Sequence, residues 1–210
     1  PAGGFRDPQD RGVQHLSIAP RQLAELVRAS AVAPSAETRA WRSRWREADR
    51  ATGTAFAAAL DADKQFLSPH LARVLWSSLP AHSALYAANS MAIRDLDAFA
   101  GPRGEPLRLL ANRGVNGIDG LVSSALGAAQ ALPSPPVLWC GDLALLHDVS
   151  GLLAGQLHAA DLTIVVSNDD GGGIFEYLPV ARAVPREMFE PLFAVPHGLD
   201  LCALARGLGW

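Results

Sequence analysis

The sequence predicts an α/β protein with a parallel sheet flanked by helices, and three observations predict it. After Lys64, short apolar runs alternate with stretches of helical periodicity, the order that a parallel sheet with crossover connections imposes. The runs are continuously apolar rather than alternating, as strands covered on both faces are. Three of the four runs end in Gly mixed with Asn, Asp or Arg, at the strand ends where open parallel sheets collect ligands.

Residues 1 to 20 mix Gly, Pro, Asp and Arg without periodicity and read as a loop or linker. A short amphipathic helix is expected from Arg21 to Ala31, with Leu23, Leu26 and Val27 on one face. Pro34-Ser35 then opens a longer helix through about Leu60. Trp41, Trp45, Ala48 and Ala55 form its apolar stripe. Opposite them Arg39, Arg42, Arg44, Arg46 and Arg50 are interspersed with Glu37, Glu47 and Asp49, which favours a solvated face over an anion-binding patch. The next helix, Ser68 to Leu79, is expected to have Ser68 as its N-cap and Pro69 at its first position. Strands are expected at Ala84 to Ala88, Leu107 to Ala111, Val137 to Cys140 and Leu162 to Val166. Helices from about Ile118 to Leu132 and Leu145 to Leu157 separate the last three.

Composition removes several function classes. A net charge of −3 leaves no basic face with which to neutralise nucleic-acid phosphates. Of the 18 basic residues only Lys64 is a lysine, so a Gly-Lys-Ser/Thr phosphate loop is absent and Schiff-base chemistry is disfavoured. Cys140 and Cys202 lie far apart in apolar surroundings and are expected to be reduced core residues. No apolar run is long enough to span a bilayer, and the start lacks a charged n-region and an apolar h-region. Membrane insertion is therefore not expected, and a cytoplasmic location is. None of the six histidines falls in a paired metal spacing. His147, a turn past Asp142, reads as a helix-surface or core histidine in preference to a cofactor contact. Gly114, Gly117 and Gly120 do not have the dinucleotide-binding spacing. The chain has no initiator methionine and stops at Trp210 directly after a helical pattern, so it reads as a piece of something longer.

The four strand ends carry Asn89-Ser90-Met91, Asn112 to Gly117, Gly141-Asp142-Leu143 and Asn168 to Gly173. Polar side chains beside glycine let backbone N–H groups approach a phosphate while oxygens hold a hard cation. Asp142 and Asp169 follow successive strand runs, and a crossover that brings those strand ends together lets both carboxylates share one Mg²⁺. The alternative is that each aspartate caps the helix after it.

Gly141-Asp142-Leu143 followed by Asn168-Asp169-Asp170-Gly171 resembles the thiamine-diphosphate motif written GDG, then NN, with Leu143 and Asp169 as departures. Asn112-Arg113-Gly114-Val115-Asn116-Gly117-Ile118-Asp119-Gly120, the Gly-Asp-Leu triplet and Gly172-Gly173-Ile174-Phe175 are together similar to the 2-succinyl-5-enolpyruvyl-6-hydroxy-3-cyclohexene-1-carboxylate synthase family of menaquinone biosynthesis, in which the Leu143 variant is at home. The resemblance runs from about Ser68 to Trp210, is strongest over 112–175, and is weak before Ser68.

That resemblance implies a diphosphate-binding domain of the thiamine-diphosphate enzyme fold over 64–210, lacking its final strand, preceded over 1–63 by a linker or the helical tail of a middle domain. It places Mg²⁺ or Mn²⁺ on Asp142, Asp169 and the carbonyl of Gly171, with Asn168 shaping the turn. Diphosphate contacts fall on Asn89, Ser90, Gly141, Leu143 and Ile174, largely through backbone groups. Ile118 props thiamine diphosphate into its bent shape. Arg94 and Arg113 meet the carboxylates of 2-oxoglutarate and isochorismate, a task suited to a guanidinium fork, and Phe175 walls the pocket. The implied reaction is a decarboxylative carboligation, a transferase activity. The glutamate that protonates the cofactor comes from a domain outside this chain, on the second subunit of a homodimer or homotetramer. No catalytic residue of that kind is expected here, and the piece alone is expected to have no turnover. The rivals are another thiamine-diphosphate enzyme, of acetolactate synthase or 2-oxoacid decarboxylase type, and a non-catalytic assembly domain.

Overall fold

The computed structural model describes residues 9, 12, 17–31, 33–112 and 117–210, and the chain forms two compact units, Pro1–Ala51 and Thr52–Trp210. The first unit holds helix α1 (Pro20–Ala29) and the opening turns of α2 (Ala36–Ala62). Pro20 occupies the first position of α1, where its missing N–H costs nothing, and the Ala19 N–H donates to Gln22 Oε1 at 3.0 Å. Ser35 starts α2 by accepting the Thr38 N–H at 3.1 Å. The arginine face is exposed as expected, and the apolar stripes are exposed too: no described residue up to Ala51 is buried.

In the second unit four strands, β1 (Ala84–Ala87), β2 (Arg108–Leu110), β3 (Val137–Gly141) and β4 (Thr163–Ser167), pair in parallel in the order β2-β1-β3-β4. Helix α3 (Ser68–Ser78) precedes β1. Helix α4 (Met91–Phe99) joins β1 to β2, α5 (Leu121–Ala131) joins β2 to β3, and α6 (Asp142–His147) and α7 (Gly151–Leu157) join β3 to β4. A 3₁₀ turn (Gly173–Tyr177), the short helices α8 (Val180–Ala183) and α9 (Arg186–Phe189), a π-turn (Glu190–Ala194) and α10 (Leu201–Gly207) complete the chain. The expected α/β class and parallel sheet are what the chain forms. Among the described residues no helix is long and apolar enough to cross a membrane.

The core sits on β1 and β3. Leu85, Leu138, Trp139 and Cys140 have no exposed surface, and Leu121, Val122 and Ala125 of α5 pack with them. The Trp139 indole N–H donates across the sheet to Ser167 Oγ at 2.7 Å. Burial raises the Cys140 thiol to about 12, with the charge of Asp142 adding to the effect. The expectation of four buried strands holds only for this central pair. Strands β2 and β4 each have a neighbour on one side, and Leu109 of β2 is 45% exposed.

Three local expectations are corrected, and one helix is added to those expected. Leu67, not Ser68, is the N-cap of α3, and its N–H donates to His70 Nδ1 at 3.0 Å. The Ser68 hydroxyl instead donates to Asp95 Oδ2 at 2.6 Å. Asp95 is a buried residue of α4, a helix whose apolar face this acid interrupts. The helix expected from Leu145 to Leu157 is broken at Asp148, whose carboxylate accepts from Ser123 N–H at 2.7 Å and Ser123 Oγ at 3.1 Å, capping α5 from outside. Cys202 lies exposed on α10, so only Cys140 is a core thiol.

Candidate functional site

Strands β1 and β3 are neighbours, yet the chain leaves β1 for β2 on one side and β3 for β4 on the other. The carboxyl ends of β1 and β3 therefore flank a topological switch point, the crevice where open α/β sheets bind ligands. Asn89 and Ser90 follow β1 there, and Asp142 follows β3.

Asp142 is the first residue of α6 and is 1% exposed. Its Oδ1 accepts the Leu143 N–H at 2.6 Å. Its Oδ2 accepts the Gly171 N–H at 2.7 Å and lies 3.1 Å from His197 Nε2. Sequence reasoning missed His197, which stands in a stretch without periodicity. His147, expected on a helix surface or in the core, forms a surface pair with Asp119 at 3.1 Å.

The loop after β4 closes on the segment that carries His197. Asp170, in the left-handed region at φ 59°, accepts the His197 and Gly198 N–H groups on Oδ1 at 3.1 and 2.7 Å. Those bonds, the one from Gly198 foremost, hold its carboxyl below the usual range. The Asp170 N–H in turn donates to Asn168 Oδ1 at 3.1 Å, so Asn168 does shape the turn. Gly172 N–H donates to the Ala194 carbonyl at 2.6 Å. A Cβ on Gly171 would stand 2.0 Å from that oxygen, and one on Gly172 2.4 Å from the Phe193 carbonyl. With φ at +137° for Gly171 as well, both positions require glycine for close backbone passage, a role distinct from the phosphate cradle that composition suggests.

Asp169 belongs to the same loop. A Cβ on Gly173 would lie 1.9 Å from its Oδ2, so the carboxylate sits directly against that glycine. Desolvation, with the negative charge of Asp142, pushes the Asp169 carboxyl above its usual range. The charge of Asp142 is thus one of the influences on Asp169.

The other expected residues are distributed as follows. Asn89 Nδ2 donates to the Asn112 carbonyl at 2.8 Å, tying the end of β1 to the loop after β2. Ser90 has φ 69° and precedes α4, and its carbonyl accepts from Arg94 Nη1 at 2.7 Å. The exposed Arg94 is thereby folded back on its own helix. Arg113 lies outside the described residues. Ile118 packs partly buried against the core. Gly141 ends β3 opposite Ser167, and the Leu143 N–H is turned onto Asp142 rather than outward. Ile174 and Phe175 lie in the 3₁₀ turn, where Phe175 meets Phe193 edge-on at 5.9 Å and Phe193 stacks on the buried Phe189 at 5.6 Å. Among the described residues no group of three or more His, Cys, Asp and Glu side chains is arranged around a cation site.

Fold and site together define a parallel α/β domain, with a buried carboxylate at its switch point and a second one at the next strand end. The sequence comparisons narrow this class. The chain is similar to the 2-succinyl-5-enolpyruvyl-6-hydroxy-3-cyclohexene-1-carboxylate synthase of Myxococcus xanthus, 46% identical over 208 residues that cover 95% of this chain and 33% of that protein. The synthases of the same name from Chloroflexus aurantiacus and Geobacillus thermodenitrificans are each 43% identical, over 96% and 94% of this chain and 34% and 33% of their own lengths. The chain thus spans about a third of the relatives it matches, and the similarity extends well before Ser68, where the motifs alone give only a weak resemblance. A solved structure described as a suspected thiamin diphosphate-dependent enzyme of Mycobacterium smegmatis aligns with a TM-score of 0.48 and 19% identity, over 70% of this chain and 26% of that one. No family model matches the chain.

Proposed function

We propose that this chain is the diphosphate- and metal-binding part of a thiamine-diphosphate-dependent synthase. The intact protein joins 2-oxoglutarate to isochorismate with loss of CO₂, giving 2-succinyl-5-enolpyruvyl-6-hydroxy-3-cyclohexene-1-carboxylate for menaquinone biosynthesis. The observation that carries the reading is the placement of Asp142, buried at the switch point with Asp169 within electrostatic reach, in a chain similar over nearly its whole length to synthases of that name.

The residues present fit a divalent cation. Two carboxylates of like charge brought together are relieved by Mg²⁺ or Mn²⁺, which takes oxygen ligands. Asp142, Asp169 and the carbonyl of Gly171 supply them, and diphosphate oxygens complete the set. Asn89, Ser90, Gly141, Leu143 and Ile174 line the approach to the diphosphate, and Ile118 backs it. When bound, thiamine diphosphate supplies the electron sink for the decarboxylation and the carbon–carbon bond formation. Arg94 exchanges the Ser90 carbonyl for a substrate carboxylate, Arg113 binds a second, and Phe175 bounds the pocket. The acid that protonates the cofactor comes from elsewhere in the assembled protein, on a second subunit, so the 210-residue chain alone has no turnover. The intact enzyme works in the cytoplasm.

The test is product formation from 2-oxoglutarate and isochorismate by the intact protein with thiamine diphosphate and Mg²⁺. Asp142→Ala is expected to abolish it. Product made by the isolated chain would remove the shared-site part of the reading. Release of an aldehyde from pyruvate by the intact protein would replace the synthase with a decarboxylase.

A further inference from the structure

His197 sits 55 positions from Asp142 in sequence, yet its side chain is only 10% exposed and its Nε2 lies 3.1 Å from Asp142 Oδ2. A carboxylate oxygen only accepts, so the Nε2 that meets Asp142 Oδ2 carries a hydrogen, while Nδ1 accepts the Leu199 N–H at 3.0 Å and lies 3.5 Å from Asp170 Oδ1. The Nε2–H therefore donates to Asp142.

Counting acceptor positions then distinguishes the two carboxylate oxygens. Each has about two lone-pair directions. On Oδ2 both are taken, by Gly171 N–H and by His197 Nε2–H. On Oδ1 one is taken, by Leu143 N–H. A cation approaching Asp142 thus finds its open position on Oδ1. Ligating carboxylates are oriented by such outer hydrogen bonds, which fix the rotamer and the lone pair presented.

The backbone that carries the imidazole is itself held at two places. The His197 and Gly198 N–H groups donate to Asp170, the residue after Asp169, and the Ala194 carbonyl accepts from Gly172. The loop that carries Asp169 therefore fixes the segment that carries His197, and His197 fixes Asp142.

We propose that His197 is a positioning residue for the metal site: by donating Nε2–H to Asp142 Oδ2 it locks that carboxylate with Oδ1 presented to the cation. The proposal rests on the metal-binding reading above.

The experiment is a Mn²⁺ titration of the intact protein with thiamine diphosphate present, following loss of the free-ion electron paramagnetic resonance signal. Four proteins are compared: wild type, Asp142→Ala, His197→Met, which keeps bulk without a donor, and His197→Gln, whose amide N–H reaches to a similar distance. Expected are loss of binding in Asp142→Ala, Mn²⁺ affinity about 10- to 100-fold weaker in His197→Met, and recovery to within a few-fold in His197→Gln. Wild-type or tighter affinity in His197→Met overturns the proposal and leaves the metal reading standing. Equal weakening in His197→Met and His197→Gln overturns it as well, since the ring would then matter only as packing. Unchanged binding in Asp142→Ala overturns the metal reading itself. Urea midpoints accompany each titration, and if His197→Met does not fold, His197→Asn, whose amide is too short, replaces it against His197→Gln with the same outcomes.

Discussion

The helices up to Ala51 and the sheet built on β1 and β3 draw on the same apolar residue types and bury them to opposite extents. Trp41 and Trp45 stack edge-on at 5.9 Å and remain 54% and 62% exposed, whereas Trp139 on β3 has no exposed surface. Leu23, Leu26 and Val27 form a clean stripe on α1 and are exposed to 48%, 54% and 60%. Periodicity states which face a helix offers, not whether that face is covered. In the sheet region the continuous runs carry both facts, because a central strand has neighbours on each side and helices above and below.

The largest expected effect that sharpens this contrast is at Trp139. Trp139→Ala empties a fully buried site and leaves Ser167 Oγ without its donor, so a loss of about 3–5 kcal/mol is expected in urea unfolding. A loss near zero would mean that the sheet is no better packed than α2.

The buried pair Ser68 and Asp95 ranks next. Ser68→Ala leaves Asp95 buried without its hydroxyl donor, at an expected cost of about 1–3 kcal/mol. The same pair gives a pH signature. Burial pushes the Asp95 carboxyl above its usual 3.8, with the Ser68 bond partly opposing, so the folded state holds this proton more tightly than the unfolded chain does. Its contribution is most favourable below the ordinary aspartate range and declines as pH rises from there through the folded value. Asp95→Asn removes the decline. Melting curves should show the variant gaining on wild type as pH rises from 3 and levelling off above that window, and a gain at the acid end would reverse the sign.

The smallest effect is expected at Trp45. Trp45→Ala in the 210-residue chain should change stability by less than about 0.5 kcal/mol, and a cost approaching that of Trp139 would erase the comparison.

Much of the sheet and half of the site are legible in the sequence, for identifiable reasons. A central parallel strand is a contiguous run, so β1, β3 and the Asp142 directly after β3 can be read without knowing the fold. Helix α4 is hidden because Asp95 occupies a core position, and the hydroxyl that makes this tolerable comes from another helix. His197 is hidden because nothing local marks it: its role depends on a bond to Asp142 across 55 positions. The glycines at 171 and 172 are legible as a loop signal, but the backbone passage that requires them is not. Composition shows that a Cβ is absent, and only the neighbouring carbonyls show what it would have struck.

That last point bears on inheritance. The backbone crossing at Ala194 and Phe193 requires glycine at both positions whatever the domain binds. A relative that kept this crossing would keep the pair whether or not it kept Asp142 and His197. The two glycines therefore report shape alone, and a change of use would be written at other positions.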